Sequence, residues 1–157
     1  MLVALGGCFS EHSGVINIGL EGIMVIGALG GALVMKFLPP ETAPFFVFLL
    51  TTLASMLAGM LYSLLLAVAA VNFSADQTLV GTAMNLLGAA AATVFVKAMN
   101  TAMDPGNVSS EIVYVHARKA LLIAQGTEFS WFMILALLLL IASYVILYKT
   151  KFGLRLM

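Results

Sequence analysis

Charge is what this sequence has least of. Seven basic and seven acidic residues share 157 positions, so charged side chains make up 9% of the chain. An average soluble domain carries about 25%. A surface built from so little charge would leave large apolar patches in water, which excludes an ordinary soluble domain. Intrinsic disorder is excluded as well, because it needs low hydrophobicity and here 62% of the residues are hydrophobic. The charges cancel, so no basic excess points to nucleic acid. The single cysteine, Cys8, can form neither an internal disulfide nor a thiolate metal cluster. The two histidines, His12 and His116, are far apart and lack metal-ligand spacing. Walker, nucleophile-elbow, zinc and Rossmann patterns are all missing. No residue reads as catalytic, and no metal or cofactor is expected.

Long apolar runs are what is there instead, and the mean hydropathy is +1.12. The few charges punctuate the chain. Residues 45–71, 78–96 and 129–148 are free of charge, and 18–36 holds only Glu21 before its closing Lys36. Each run is long enough to cross about 30 Å of hydrocarbon at about 1.5 Å per residue. In lipid such spans must be helical, because an unpaired backbone finds no partner there. The expected fold is therefore all-α: a polytopic transmembrane helix bundle forming one domain over 1–157. It has about four full spans, near 18–36, 45–71, 78–100 and 129–148, plus a partial N-terminal helix at residues 1–9. Pro39, Pro40 and Pro44 break the chain after the first span. Residues 72–77 form a short polar hairpin in which Ser74 or Asp76 can cap the next helix. Residues 101–128 form the only long loop, with a strand or an interfacial helix at 112–125.

Eight of the 14 glycines fall in the first 31 residues. Gly27 and Gly31 make a small-residue step of the kind that lets helix backbones approach closely. Ser55, Gly59 and Ser63 form a similar ridge four residues apart. At 13–22, Gly14, Asn17, Gly19, Glu21 and Gly22 interrupt any helix, so a break or a helix start belongs there. Broken backbone at membrane depth is tolerated where it faces protein or water. Glu21 is the one acid well inside an apolar segment. It is either a functional intramembrane acid or a residue at the membrane edge.

On the 78–100 helix, at about 100° per residue, Thr78, Thr82, Asn85, Ala89, Ala92, Thr93 and Asn100 share one stripe. A polar stripe on a membrane helix faces the bundle or a water-filled path. Asn85 is the strongest candidate for the path, since an amide both donates and accepts. Hydrogen bonding between helices is the competing reading. The candidate path residues are thus Asn17, Glu21, Thr78, Thr82 and Asn85. The basic tail, with Lys149, Lys151 and Arg155, follows an apolar helix and belongs in the cytoplasm by the positive-inside rule. The charges elsewhere leave that orientation close to a draw.

Residues 5–22, LGGCFSEHSGVINIGLEG, closely resemble a signature of bacterial ABC-transporter permeases for nucleosides and simple sugars. These are the ribose-type members of the branched-chain amino acid/sugar permease superfamily. His12 stands where that signature usually has Arg, and Cys8 where it has an apolar residue. Gln77 to Leu87 and Tyr148 to Leu156 resemble two further family stretches in the family order. The resemblance implies the transmembrane component of an importer in the bacterial cell membrane, forming part of the path for a nucleoside or simple sugar. It implies a second permease subunit, ATP-binding subunits on separate chains and an extracytoplasmic solute-binding lipoprotein as partners, besides the lipid bilayer. It places Lys151, Phe152, Gly153, Leu154 and Arg155 at the cytoplasmic face near the ATPase subunit. Family members continue past that stretch into an ATPase-docking loop and further helices, so the chain corresponds to the N-terminal half of a permease. The alternative is a small independent helical membrane protein with a structural or assembly role, or a permease fragment without function.

Overall fold

The computed structural model describes residues 2–12, 17–39, 41–112 and 130–150. Among these residues five helices follow one another: α1 Leu2–His12, α2 Leu20–Phe37, α3 Pro44–Asn72, α4 Gln77–Met103 and α5 Trp131–Lys149. All but α1 are long and apolar enough to cross a membrane, with 18, 29, 27 and 19 residues. α1, with 11 residues, reaches only about 16 Å, too short to cross. These four spans agree with the expected ones to within three residues at every end.

The helix ends follow local chemistry. Pro44 opens α3 at a position where the missing N–H costs nothing. The turn after α3 closes through Ser74, whose φ of 49° is left-handed, and the Ala75 N–H returns to the Ala69 carbonyl at 3.2 Å. Of the two expected caps, Asp76 serves α4: its carboxylate accepts from the Thr78 N–H at 2.8 Å. Ser74 instead closes α3. At the other end of α4 the Asp104 N–H donates to the Asn100 carbonyl at 2.9 Å. The break expected at 13–22 is present as a helix start. Ile18 and Gly19 form a turn, and α2 begins at Leu20.

The chain divides into two compact units, Ile18–Ala120 and a second made of Met1–Asn17 with Leu121–Met157. In the second, α1 lies against α5. α5 is apolar all round, with Leu137, Leu138, Ile141 and Tyr144 more than half exposed, as expected of a helix whose solvent is lipid. The first unit holds α2, α3 and α4. α2 packs on α3 through the small residues singled out in the sequence. A Cβ on Gly27 would lie 3.1 Å from the Ser55 carbonyl oxygen, and one on Gly30 would lie 2.7 Å from the Ala58 Cβ. The helix backbones come together because glycine on one side faces small residues on the other.

Candidate functional site

The start of α2 is built against the side of α4. A Cβ on Gly22 would lie 2.6 Å from the Met84 carbonyl oxygen and 3.0 Å from the Asn85 Cα. One on Gly88 would lie 2.9 Å from the Gly22 Cα, and one on Gly81 would lie 2.9 Å from the Gly19 nitrogen. Gly81 and Gly88 thus bracket two turns of α4 on which the beginning of α2 rests, backbone on backbone. Asn85 stands between them. Its Oδ1 accepts from the Gly22 N–H at 2.8 Å, and its Nδ2 donates to the Ile18 carbonyl at 2.7 Å. The same Met84 carbonyl accepts from the Tyr62 hydroxyl of α3 at 2.7 Å.

A second polar junction lies at the other end of the same helices. Asn100 is 4% exposed. Its Oδ1 accepts from the Lys36 ammonium at 3.2 Å, and its Nδ2 donates to the carbonyls of Ser109 at 3.0 Å and Glu111 at 2.8 Å. One amide therefore ties the end of α2 and the end of α4 to the segment that follows. Between the two junctions runs a groove of about 290 Å³, walled by Ala28 and Ala32 of α2 and by Ala92, Thr93 and Val96 of α4, with Ser110 at its edge. Met84, which meets α3, and Thr93, which faces the groove, are nine residues apart. At about 100° per residue that is half a turn of the wheel, and the other groove residues Ala92 and Val96 lie between them.

The sequence-derived path residues divide accordingly. Asn85 is half-buried in the α2–α4 seam. Glu21 is exposed in the first turn of α2, where a negative charge suits the helix dipole. Asn17 precedes that helix in irregular backbone and is half-buried. Thr78 and Thr82 are exposed and linked to each other, the Thr82 hydroxyl donating to the Thr78 carbonyl at 2.8 Å. The structure brings Asn85 to the α2 start, whereas the hydrogen bonds of Thr78 and Thr82 stay within α4 and its cap. Lys151, Phe152, Gly153, Leu154 and Arg155 lie outside the described residues. Sequence reasoning missed Tyr62, Gly81 and Gly88. The signal was a lone tyrosine within an apolar span and a pair of glycines seven apart around Asn85.

Comparison with known proteins gives the chain its relatives. Residues 1–157 match the family described as branched-chain amino acid transport system / permease component. The guanosine ABC transporter permease protein NupQ of Bacillus subtilis is 42% identical, over 99% of this chain and 50% of its own. The nucleoside ABC transporter permease protein NupC of Lactococcus lactis is 35% identical over the same shares. The chain thus spans about half the length of these curated relatives. No solved structure matches it. With a family match along its whole length and four helices able to cross a membrane, the chain belongs to the branched-chain amino acid transport permease family and is a multi-pass membrane protein.

Proposed function

We propose that this chain forms part of the solute path of an ABC importer for nucleosides. The observation that carries the reading is the 42% identity, across 99% of the chain, to a permease named for guanosine. The second relative of equal coverage is named for nucleosides, which favours that class over simple sugars. The groove between α2 and α4 supports the same choice, because no lining residue carries a formal charge. Such a wall suits an uncharged solute better than the zwitterion after which the family is named.

In this reading the chain performs no chemistry of its own, and ATP hydrolysis belongs to separate subunits. A second permease subunit completes the path, and an extracytoplasmic solute-binding lipoprotein delivers the nucleoside. Residues 1–157 act as one transmembrane domain, with the α3–α4 turn and the Lys151–Arg155 stretch on the cytoplasmic side. Glu21, Asn17, Thr78 and Thr82 lie along the path. Removing the coding sequence from its host and following uptake of radiolabelled guanosine, uridine and ribose tests the proposal. Loss of nucleoside uptake with ribose uptake intact is expected. Loss of ribose uptake alone overturns the nucleoside assignment, and unchanged uptake of all three overturns the transport reading.

A further inference from the structure

The beginning of α2 lacks the means to finish itself. The first N–H groups of a helix have no partner within it, and a side chain at the N-cap ordinarily supplies one. Here the N-cap is Gly19, with no side chain and no capping hydrogen bond of that kind. Asn85 of α4 fills the role from outside: it accepts from the Gly22 N–H and donates to the carbonyl of Ile18, just before the helix. The start of α2 is therefore capped in trans, across 63 residues of chain. Asn85 lies about 12 Å along α4 from its first residue. α4 has 27 residues and so exceeds the roughly 30 Å of a hydrocarbon core by about 10 Å. With α4 upright in the bilayer, the interrupted backbone lies roughly 2–12 Å inside the hydrocarbon, where a protein amide is a better partner than scarce water. Gly22 and Gly88 in backbone contact leave no room for either helix to slide without the other.

We infer that Asn85 is a positioning residue of the transport path. Its amide fixes where α2 begins and couples that end to α4, and other side chains contact the solute. The amide oxygen is engaged with α2 backbone and the amide nitrogen with the turn before it, so what the residue controls is the placement of the first turn of α2, including Glu21. The cap stands on the two hydrogen bonds alone. Its consequence for uptake rests on the transport reading above.

The test uses the assembled transporter, with Asn85→Leu and Asn85→Asp. Asn85→Leu removes both hydrogen bonds. Asn85→Asp keeps the acceptor for Gly22 and replaces the donor to Ile18. Hydrogen exchange of the peptide covering 18–24 reports the cap independently of any solute. In Asn85→Leu it should quicken by about tenfold or more, the equivalent of one net hydrogen bond, with Asn85→Asp between that variant and wild type. Initial rates of guanosine uptake should show the maximal rate falling by about tenfold while KM stays within about twofold. Unchanged exchange in both variants would overturn the cap. Faster exchange with KM raised and the maximal rate kept would place Asn85 on the solute and overturn the positioning role. Should Asn85→Leu fail to assemble, Asn85→Asp decides by the same two readings. A wild-type transporter that moves no nucleoside refutes the transport reading, while the exchange measurement still judges the cap.

Discussion

A methyl group on Gly22 is the sharpest probe of the α2–α4 seam. It would sit 2.6 Å from the Met84 carbonyl oxygen and 3.0 Å from both the Met84 carbonyl carbon and the Asn85 Cα. All three are backbone atoms within α4, so no rotamer change relieves the clash. The helices must part by roughly 0.5–1 Å, and overpacking of this kind costs about 1–3 kcal/mol. Parting also stretches the 2.8 Å bond from the Gly22 N–H to Asn85, worth about 1 kcal/mol. Against this, alanine is the better helix former by about 1 kcal/mol. The clash wins, and Gly22→Ala should destabilise by about 1–3 kcal/mol. Two controls isolate the cause. Gly6 has no heavy atom near its absent Cβ, so Gly6→Ala should stabilise by about 0.5–1 kcal/mol. At Gly59 the nearest atom is the Ile23 Cγ2 at 3.5 Å, an ordinary contact, so Gly59→Ala should be neutral or better. Thermal melts of the purified chain in detergent micelles, followed by circular dichroism, measure the order. About 2–4 °C per kcal/mol is expected at this size. If Gly22→Ala melts at or above Gly6→Ala, the backbone contact between α2 and α4 is not the packing described.

Asn100→Ala leaves two carbonyls and the Lys36 ammonium without their partner. It should cost about 2–3 kcal/mol and speed proteolysis within 104–111, read by limited digestion in micelles. Thr51 carries a buried hydroxyl with no hydrogen bond in the structure, so Thr51→Val should raise stability by about 1 kcal/mol. A lowered melting temperature would show that the hydroxyl has a partner. Asp76→Ala removes the cap of α4 and should cost about 1 kcal/mol, with faster amide exchange confined to the first turn of that helix.

The spans were legible because a run without charge is also a run without a place to stop. Their ends were legible only to a few residues. The third was expected to finish at Asn100, a polar residue, yet α4 continues to Met103 because the Asp104 N–H still finds the Asn100 carbonyl. Once Asn100 is buried under the following segment, its polarity no longer marks an end. The glycines of the first 31 residues announced close packing and an interruption near 13–22, and both are present in the fold. Their partners were beyond sequence reasoning. Gly22 needs Gly88, 66 positions later, and only the crossing of α2 over α4 brings them together. A lone tyrosine in an apolar span marks a hydroxyl that needs a partner, but not that the partner is the Met84 carbonyl of the next helix.

The polar stripe of α4 is by periodicity one face, turned to the bundle or to a water-filled path. In the structure its members divide among separate tasks, each set by the lack of water in a bilayer. The Thr82 and Thr93 hydroxyls donate to carbonyls four residues back on their own helix, as threonines in membrane helices commonly do. Asn85 is turned onto the start of α2, and Asn100 onto Lys36 and the segment beyond α4. Each of these side chains is turned first to backbone that would otherwise lack a partner. Polarity in a span therefore locates first the places where backbone is interrupted. Both amides of the stripe sit at such places, one at the beginning of α2 and one where α4 gives way to irregular chain. Thr82 and Thr93, whose donors are bound but whose oxygens keep a lone pair, can still accept a hydrogen bond from something passing along that face.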